Sequence, residues 1–455
     1  MSKFNELSID KDMLSNLTRL GFVEMTSIQE KSLPSILDGD DVIGKAKTGS
    51  GKTISFGLGI FNNLNVSKFR IQSIIMCPTR ELATQVANTL KDLAKYKHNI
   101  KILTLTGGVP YKPQVHSLTH QAHIIVGTPG RILKHLKEGN FSCDDINTLV
   151  LDEADRMLDM GFNDDIMDII DYIPKMRQTM LFSATYPDTI DKLSSSILLD
   201  PKVIEVESTH NENSISQEFY KVQEYQKLEV LPNLLDEQYK TTIIFCNTRV
   251  QCNELADFLE DNFNIEVLVL HSDLEQKYRD ETLIMFANKS FPIMIATDVA
   301  SRGLDISDVD LVVNYDLPFD FEVYIHRIGR TARAGKDGCA ISLVEDERVF
   351  DDLLEFLDKE FVLNSIEKTN SMKELNLISD YSTLYINGGK RHKLRAGDLL
   401  GALTAGIGID KNDIGKIDIL PTCSYVAIKN RSYEKAHKGL SNNRIKNKFY
   451  RVYTR

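Results

Sequence analysis

The 455 residues predict an α/β protein: two parallel-sheet domains in tandem, followed by a small α+β domain. Three observations predict this. Short β-branched runs alternate with helical patterns along the first 345 residues, as parallel sheets covered on both faces require. A polar stretch of Ser, Thr, Asn and His without a period, about Glu207 to Glu218, separates those runs into two sets. Charge then changes sign: residues 381–455 carry 15 Lys and Arg against 5 Asp and Glu, net +10, whereas residues 1–380 carry 39 against 60, net −21. The domains are therefore placed at 1–206, 218–363 and 380–455, with a second linker around Asn364 to Asp380. At 42% hydrophobic residues, a chain of this length exceeds one typical core.

The first element is strand, loop and helix. Asp41-Val42-Ile43 leads through Ala46-Lys47-Thr48-Gly49-Ser50-Gly51-Lys52-Thr53 into Ile54-Ser55-Phe56-Gly57-Leu58. Small residues at Ala46, Thr48, Gly49, Ser50 and Gly51 let backbone N–H groups turn toward phosphates, and the helix adds its positive N-terminal end. Lys52 can then reach the outer phosphates and Thr53 can ligate Mg²⁺. The usual pattern of such a loop opens with Gly, where this chain has Ala46. One hundred residues on, the run Thr148-Leu149-Val150-Leu151 ends in Asp152-Glu153-Ala154-Asp155, at the carboxyl end of a strand, where open α/β sheets place ligands. Asp152 is placed to hold Mg²⁺, usually through water, and Glu153 to orient or deprotonate the attacking water. ATP with Mg²⁺ is the implied pair. Further strand runs follow at Ile102–Leu105, Ile124–Val126, Met180–Phe182, Thr242–Phe245, Val267–Leu270, Ile293–Ile295 and Leu311–Val313.

Asp-Glu-Ala-Asp is the name-giving motif of the DEAD-box RNA helicases, and roughly the first 360 residues resemble that family at nearly every signature. The resemblance implies two RecA-like domains. It implies RNA-backbone contacts at Pro78, Thr79, Arg80, Gly107, Gly108, Thr128, Pro129, Gly130 and Arg131, where Gly and Thr allow close approach and the arginines donate. Ser183-Ala184-Thr185 resembles the tripeptide that couples the Asp155 loop to the RNA side; Ser183, Thr185, Asp155 and His326 form the coupling set. Phe22 and Gln29 resemble the adenine-reading Q motif, with Phe4 upstream either stacking on or walling the pocket, or serving as a core anchor. A glutamine amide can pair with adenine N6 and N7 and reject guanine.

In the second domain, His326-Arg327-Ile328-Gly329-Arg330-Thr331-Ala332-Arg333 resembles the segment carrying arginine fingers, assigned to Arg330 and Arg333. Upstream, Ala296-Thr297-Asp298-Val299-Ala300-Ser301-Arg302-Gly303-Leu304-Asp305 resembles the family's segment that touches RNA through Thr297 and the ribose through Asp305. Lys52, Asp152, Glu153, Arg330 and Arg333 are thus the expected catalytic groups. Because they are split between two domains, hydrolysis should wait for domain closure, which RNA and ATP each favour.

The tail reads β-α-β-β-α-β: a strand and basic turn over 385–395, a small-residue helix over 397–403, strands at Ile414–Ile419 and Ser424–Ile428, a helix near Tyr433 to Leu440, and a last run over 448–453. That order resembles an RNA recognition motif, although the third strand offers only Tyr425 for base stacking. Recognition is therefore assigned to Lys390, Arg391, Lys393 and Arg395. Gly397–Leu403 and Gly415–Ile419 resemble the C-terminal domain of the bacterial DbpA subfamily. That resemblance implies 23S ribosomal RNA and pre-50S particles as partners, in ribosome biogenesis.

No apolar stretch approaches the ~18 residues that span a bilayer, and the N-terminus does not read as a signal peptide. A cytoplasmic, monomeric protein without membrane or DNA partners is expected. Six cysteines without a CxxC pair are expected to be buried free thiols. The expected activity is ATP-dependent unwinding of short RNA duplexes. The alternatives are a DNA translocase, or an ATP-gated RNA clamp or assembly scaffold with little unwinding. The tail alternatively supplies sequence-blind basic affinity or a protein contact.

Overall fold

A computed structural model of the chain describes residues 2–46, 49–186, 188–206, 215–298, 309–331, 338–365, 375 and 377–455. One compact unit extends to His210 and a second begins at Asn211.

The first unit is built on β1 (Val42–Lys45), β2 (Ser73–Met76), β3 (Ile102–Leu105), β4 (Ile124–Gly127), β5 (Thr148–Asp152), β6 (Gln178–Ser183) and β7 (Lys202–Glu205). Their order is β3-β4-β2-β5-β6-β1-β7, with every pairing parallel. Alternate side chains serve opposite faces: Ile75 and Val150 enter one apolar cluster, Ile74, Leu149 and Leu151 the other. Helices cover both faces of the central strands, so Ile74–Met76, Ile124–Val126 and Leu149–Leu151 are continuously apolar, whereas edge strand β7 leaves Lys202, Val203 and Glu205 exposed. Each fully buried Leu or Ile side chain contributes about 1.5–3 kcal/mol. Registers bring the strand ends level. Lys45 pairs with Ser183, Met76 with both Leu151 and Gly127, and Asp152 with Phe182, so the loops that follow emerge along one edge of the sheet.

The second unit repeats the plan with β8 (Ile215–Lys221), β9 (Thr242–Phe245), β10 (Val267–Leu270), β11 (Ile293–Ala296), β12 (Leu311–Asn314), β13 (Gly338–Val344) and β14 (Leu363–Ser365). All pairings in the order β10-β11-β9-β12-β13-β8-β14 are again parallel. Residues 215–218, read from sequence as linker, are the start of β8. That strand lies near the sheet edge and is only partly buried, so its polar residues mask the pattern; Phe219 is anchored among Tyr324, Phe350 and Phe361. Leu375 and Leu377, from the expected second linker, pack in this unit's core.

The C-terminal sheet comprises β15 (Tyr381–Ile386), β16 (Ile414–Ile419), β17 (Ser424–Lys429) and β18 (Val452–Thr454), antiparallel in the order β16-β17-β15-β18. Helices Ala396–Gly401, continued by a π-turn at Ala402–Gly406, and Asn430–Asn442 cover one face through Leu399, Leu403, Ala436 and Leu440. The expected β-α-β-β-α-β order is realised. The opposite face packs on the parallel-sheet part of the same unit: Thr383 Oγ1 meets Asn288 Nδ2 at 2.8 Å and Ser290 Oγ at 2.7 Å, and Arg455 Nε lies 2.6 Å from Glu281 Oε1. Tyr425, the one aromatic read for the third strand, is 2% exposed there. All six cysteines are buried free thiols. Among the described residues, no helix is long and apolar enough to cross a membrane.

Candidate nucleotide and RNA site

The loop after β1 relies on glycine geometry. Gly49 and Gly51 have φ of 84° and 99°, a region that penalises any Cβ. Gly51 is also the N-cap of helix Lys52–Asn63, and a Cβ there would collide with Gln29 Nε2. Thr26 Oγ1 donates to Ser50 O at 2.7 Å and Gln29 Nε2 donates to Gly51 O at 3.1 Å, while Gln29 Oε1 accepts from Thr26 N at 2.8 Å. Gln29 therefore braces the loop. One further N–H and one lone pair remain on its amide for a base. Lys52 is 5% exposed and donates to Ala46 O at 2.7 Å. Thr53 follows in the first helical turn. Thr48 lies outside the described residues. Phe22 is 37% exposed, whereas Phe4 is buried with Met25 and Ile28 in the core, which gives it the anchor role rather than an open stacking face.

Asp152 closes β5 and is 3% exposed. Burial raises its carboxyl to about 6, against the lowering influence of Lys52, with Glu153 and Asp155 adding to the rise. Its Oδ1 and the Ser50 hydroxyl are buried without a hydrogen-bond partner among the described residues. A buried, under-bonded carboxylate within the electrostatic reach of Lys52 fits an oxygen-ligated cation such as Mg²⁺. Glu153 takes φ 53°, which costs a residue with a Cβ about 1–2 kcal/mol, and its Oε2 accepts from Arg156 Nη1 at 2.9 Å in a buried pair. Asp155 Oδ2 gathers three donors: Ala184 N at 3.1 Å, Thr185 N at 3.0 Å and Thr185 Oγ1 at 3.1 Å. Ser183 Oγ donates to Thr185 O at 2.6 Å. The two loops are thus one hydrogen-bonded body.

Along the same sheet edge, Thr79 caps helix Arg80–Leu93, and Thr128 precedes a helix that opens with Pro129. The Arg80 guanidinium lies against Gly107 and Gly108, where a Cβ on Gly108 would strike it; Gly108 also has φ 68°. Arg131 Nη1 donates to Val109 O at 3.3 Å and to Gln114 Oε1 at 3.0 Å. Both arginines thus shape the Gly-Gly turn as well as bordering it. Pro78 follows β2 directly, and Gly130 approaches Asp165.

In the second unit, Thr297 directly follows β11 at 9% exposure, donating its N–H to Leu270 O at 3.1 Å. His326 lies in the last turn of helix Phe321–Ile328. Arg330 follows that helix and is 6% exposed. Asp305 and Arg333 lie outside the described residues.

With this geometry in place, relatives decide the family. The DEAD/DEAH box helicase family matches residues 26–193, the helicase conserved C-terminal domain residues 226–335, and the DbpA RNA binding domain residues 383–453. The ATP-dependent RNA helicase DbpA of Escherichia coli is 47% identical over 459 residues, covering 99% of each chain. The chain belongs to the DEAD-box RNA helicases. It is an ATP-dependent RNA helicase of the DbpA type. The Bacillus subtilis DbpA is 37% identical, again over 99% of both. Among solved structures, Saccharomyces cerevisiae Dbp5 bound to RNA and ADP BeF3 is similar at TM-score 0.72 and 30% identity, covering 80% of this chain and 96% of that one.

In this helicase Lys390, Arg391, Lys393 and Arg395 are all exposed on one turn. The turn is pinned: Lys390 N and Arg391 N donate to Leu420 O and Pro421 O, each at 2.9 Å, and a Cβ on Gly389 would collide with Leu420 O. Lys446 Nζ donates to Lys393 O at 3.0 Å and lies 3.2 Å from Asp398. Residues the sequence reading passed over include Arg156, Gln114, His135 and Arg327. Of these, only Arg156 and Arg327 had a signal, as arginines inside or beside motifs; Gln114 and His135 gain meaning only from packing.

Proposed function

We propose that this helicase remodels short duplexes of 23S ribosomal RNA in assembling large subunits, working in the cytoplasm as a monomer with ATP and Mg²⁺. The exposed basic turn Lys390–Arg395 on a domain matching the DbpA RNA binding family carries this reading. The body that hydrolyses ATP is acidic and attracts RNA weakly, so a basic domain that docks on one RNA site raises the local concentration of duplex at the motor.

Mg²⁺ held by Thr53 and, through water, by Asp152 would neutralise phosphate charge. Lys52, released from Ala46 O, neutralises the outer phosphates. Glu153 orients the attacking water and takes its proton, and Asp155 passes the state of that loop to Ser183–Thr185. Arg330 and Arg333 stabilise the charge that develops on the transferred phosphoryl group.

The test is ATPase rate without RNA, with bulk RNA, and with a ribosomal fragment carrying the peptidyl-transferase hairpin. Full-length protein is compared with a variant in which Lys390, Arg391, Lys393 and Arg395 are all Gln. Activation by the fragment that the variant loses, with bulk-RNA activation retained, supports site selection by the turn. Equal activation by every RNA refutes it.

A further inference from the structure

Arg327 is one of the largest fully buried side chains in the protein. Its guanidinium has five N–H donors, and five hydrogen bonds use them. Nε and Nη2 form a fork on Asp298, each at 2.7 Å. Nη2 also donates to Asn247 Oδ1 at 3.0 Å, and Nη1 donates to Asn314 Oδ1 at 3.2 Å and Asp316 O at 2.6 Å. The plane lies 5.1 Å from the Phe245 ring centroid. No donor is left for RNA or nucleotide, so Arg327 is not a contact residue.

Its partners are the ends of three adjacent strands. Asn247 follows β9, Asp298 follows β11, Asn314 ends β12 and Asp316 lies just beyond it. Arg327 itself sits in helix Phe321–Ile328, and its carbonyl accepts from Arg330 N at 3.1 Å. One guanidinium therefore joins the strand end bearing Thr297 to the helix that sets the position of Arg330. A buried ion pair is a weak source of stability, since apolar packing of the same volume often serves as well. What a saturated planar fork supplies instead is geometry, which a lysine's three donors cannot reproduce.

We propose that Arg327 is a positioning residue that makes RNA contact at Thr297 and placement of Arg330 a single event, so that RNA and ATP binding reinforce each other through the Arg327–Asp298 pair. This rests on the assignments of Thr297 to RNA and Arg330 to phosphate.

The experiment measures RNA affinity of the full chain with and without a non-hydrolysable ATP analogue, in wild type, Arg327→Lys and Asp298→Asn. The ratio of the two affinities is the coupling, commonly about 5- to 150-fold for linked sites. The expected result is a ratio reduced about tenfold or to unity, while RNA affinity without nucleotide and analogue affinity without RNA each stay within about threefold and the circular dichroism melt is retained. An unchanged ratio in folded variants overturns the proposal. So does a parallel loss of both single-ligand affinities with the ratio intact, which is what mere loosening of the fold produces. If Arg327→Lys does not fold, Asn247→Ala, which removes one bond of the five, carries the same comparison. Arg330→Ala with unimpaired turnover would refute the phosphate assignment while leaving the Arg327 measurement to stand by itself.

Discussion

Replacing Asp152 with Asn should abolish ATP hydrolysis and yet stabilise the first unit near neutral pH. The carboxyl ordinarily titrates near 3.8, and burial lifts it to about 6. A lift of about two units is a cost of about 3 kcal/mol for ionising the folded protein relative to the unfolded chain. The direction follows from proton counting. Between those two values the folded protein holds a proton that the unfolded chain has released, so stability falls as pH rises through that window, and the full cost is present above about pH 6. Asn has the same shape and no charge. It leaves Lys52 with only the Ala46 carbonyl opposite, however, which offsets part of the gain; about 1–3 kcal/mol should remain. The assay is hydrogen exchange during urea unfolding of the full chain without divalent cations, read on peptides of β1, β5 and β6, at about pH 7.5 and about pH 4.5. Asp152→Asn should protect those peptides more than wild type at the higher pH and by a smaller margin at the lower. A variant less protected at neutral pH, or shifted equally at both, would refute the claim that an under-bonded buried charge strains this site.

Gly51→Ala should weaken ATP binding by tenfold or more, since it combines a left-handed φ penalty of about 1–2 kcal/mol with displacement of the Gln29 amide; equilibrium binding of a fluorescent ATP analogue checks it. Asp155→Ala removes the acceptor of three part-buried donors, a loss of up to about 1–3 kcal/mol each that water can partly offset; a duplex-unwinding loss much larger than the ATPase loss is expected. His135 is fully buried, with Nε2 facing Gln114 Oε1 and Nδ1 facing the Asn140 amide; burial depresses it to about 4, below its ordinary 6.5. The unfolded chain takes up that proton first, so the first unit should lose stability as pH falls from 6.5 toward 4, and denaturation of His135→Gln should show a shallower loss.

The strands most legible in sequence were those buried on both faces: Thr242–Phe245 and Val267–Leu270 stand where their apolar runs placed them. β8 was hidden because near the sheet edge it keeps Ser216, Gln217 and Glu218 partly exposed, which resembles loop composition. β13 was hidden because Gly338, Cys339, Ala340 and Ser342 have weak strand preference, and neighbours on both sides hold it in place. For Phe4 the sequence left a pocket wall and a core anchor both open, and burial at 3% exposure selects the anchor, because burial is set by what the rest of the domain brings over it.

Chemistry that depends on residue type within a short segment was determined by the sequence alone. A glycine-rich turn before a helix, a carboxylate pair after a strand and a basic turn after a strand each carry their backbone geometry and charge with them. Tertiary structure decided everything that depends on which distant groups meet. It gave three of Asp155's hydrogen bonds to residues 29 and 30 positions away, gave Arg327 partners from three strands, and turned the outer face of the C-terminal sheet onto Asn288 and Ser290. The reason is physical: local sequence sets φ, ψ and charge, whereas a buried polar group can be satisfied only by partners that the packing of whole elements delivers to it.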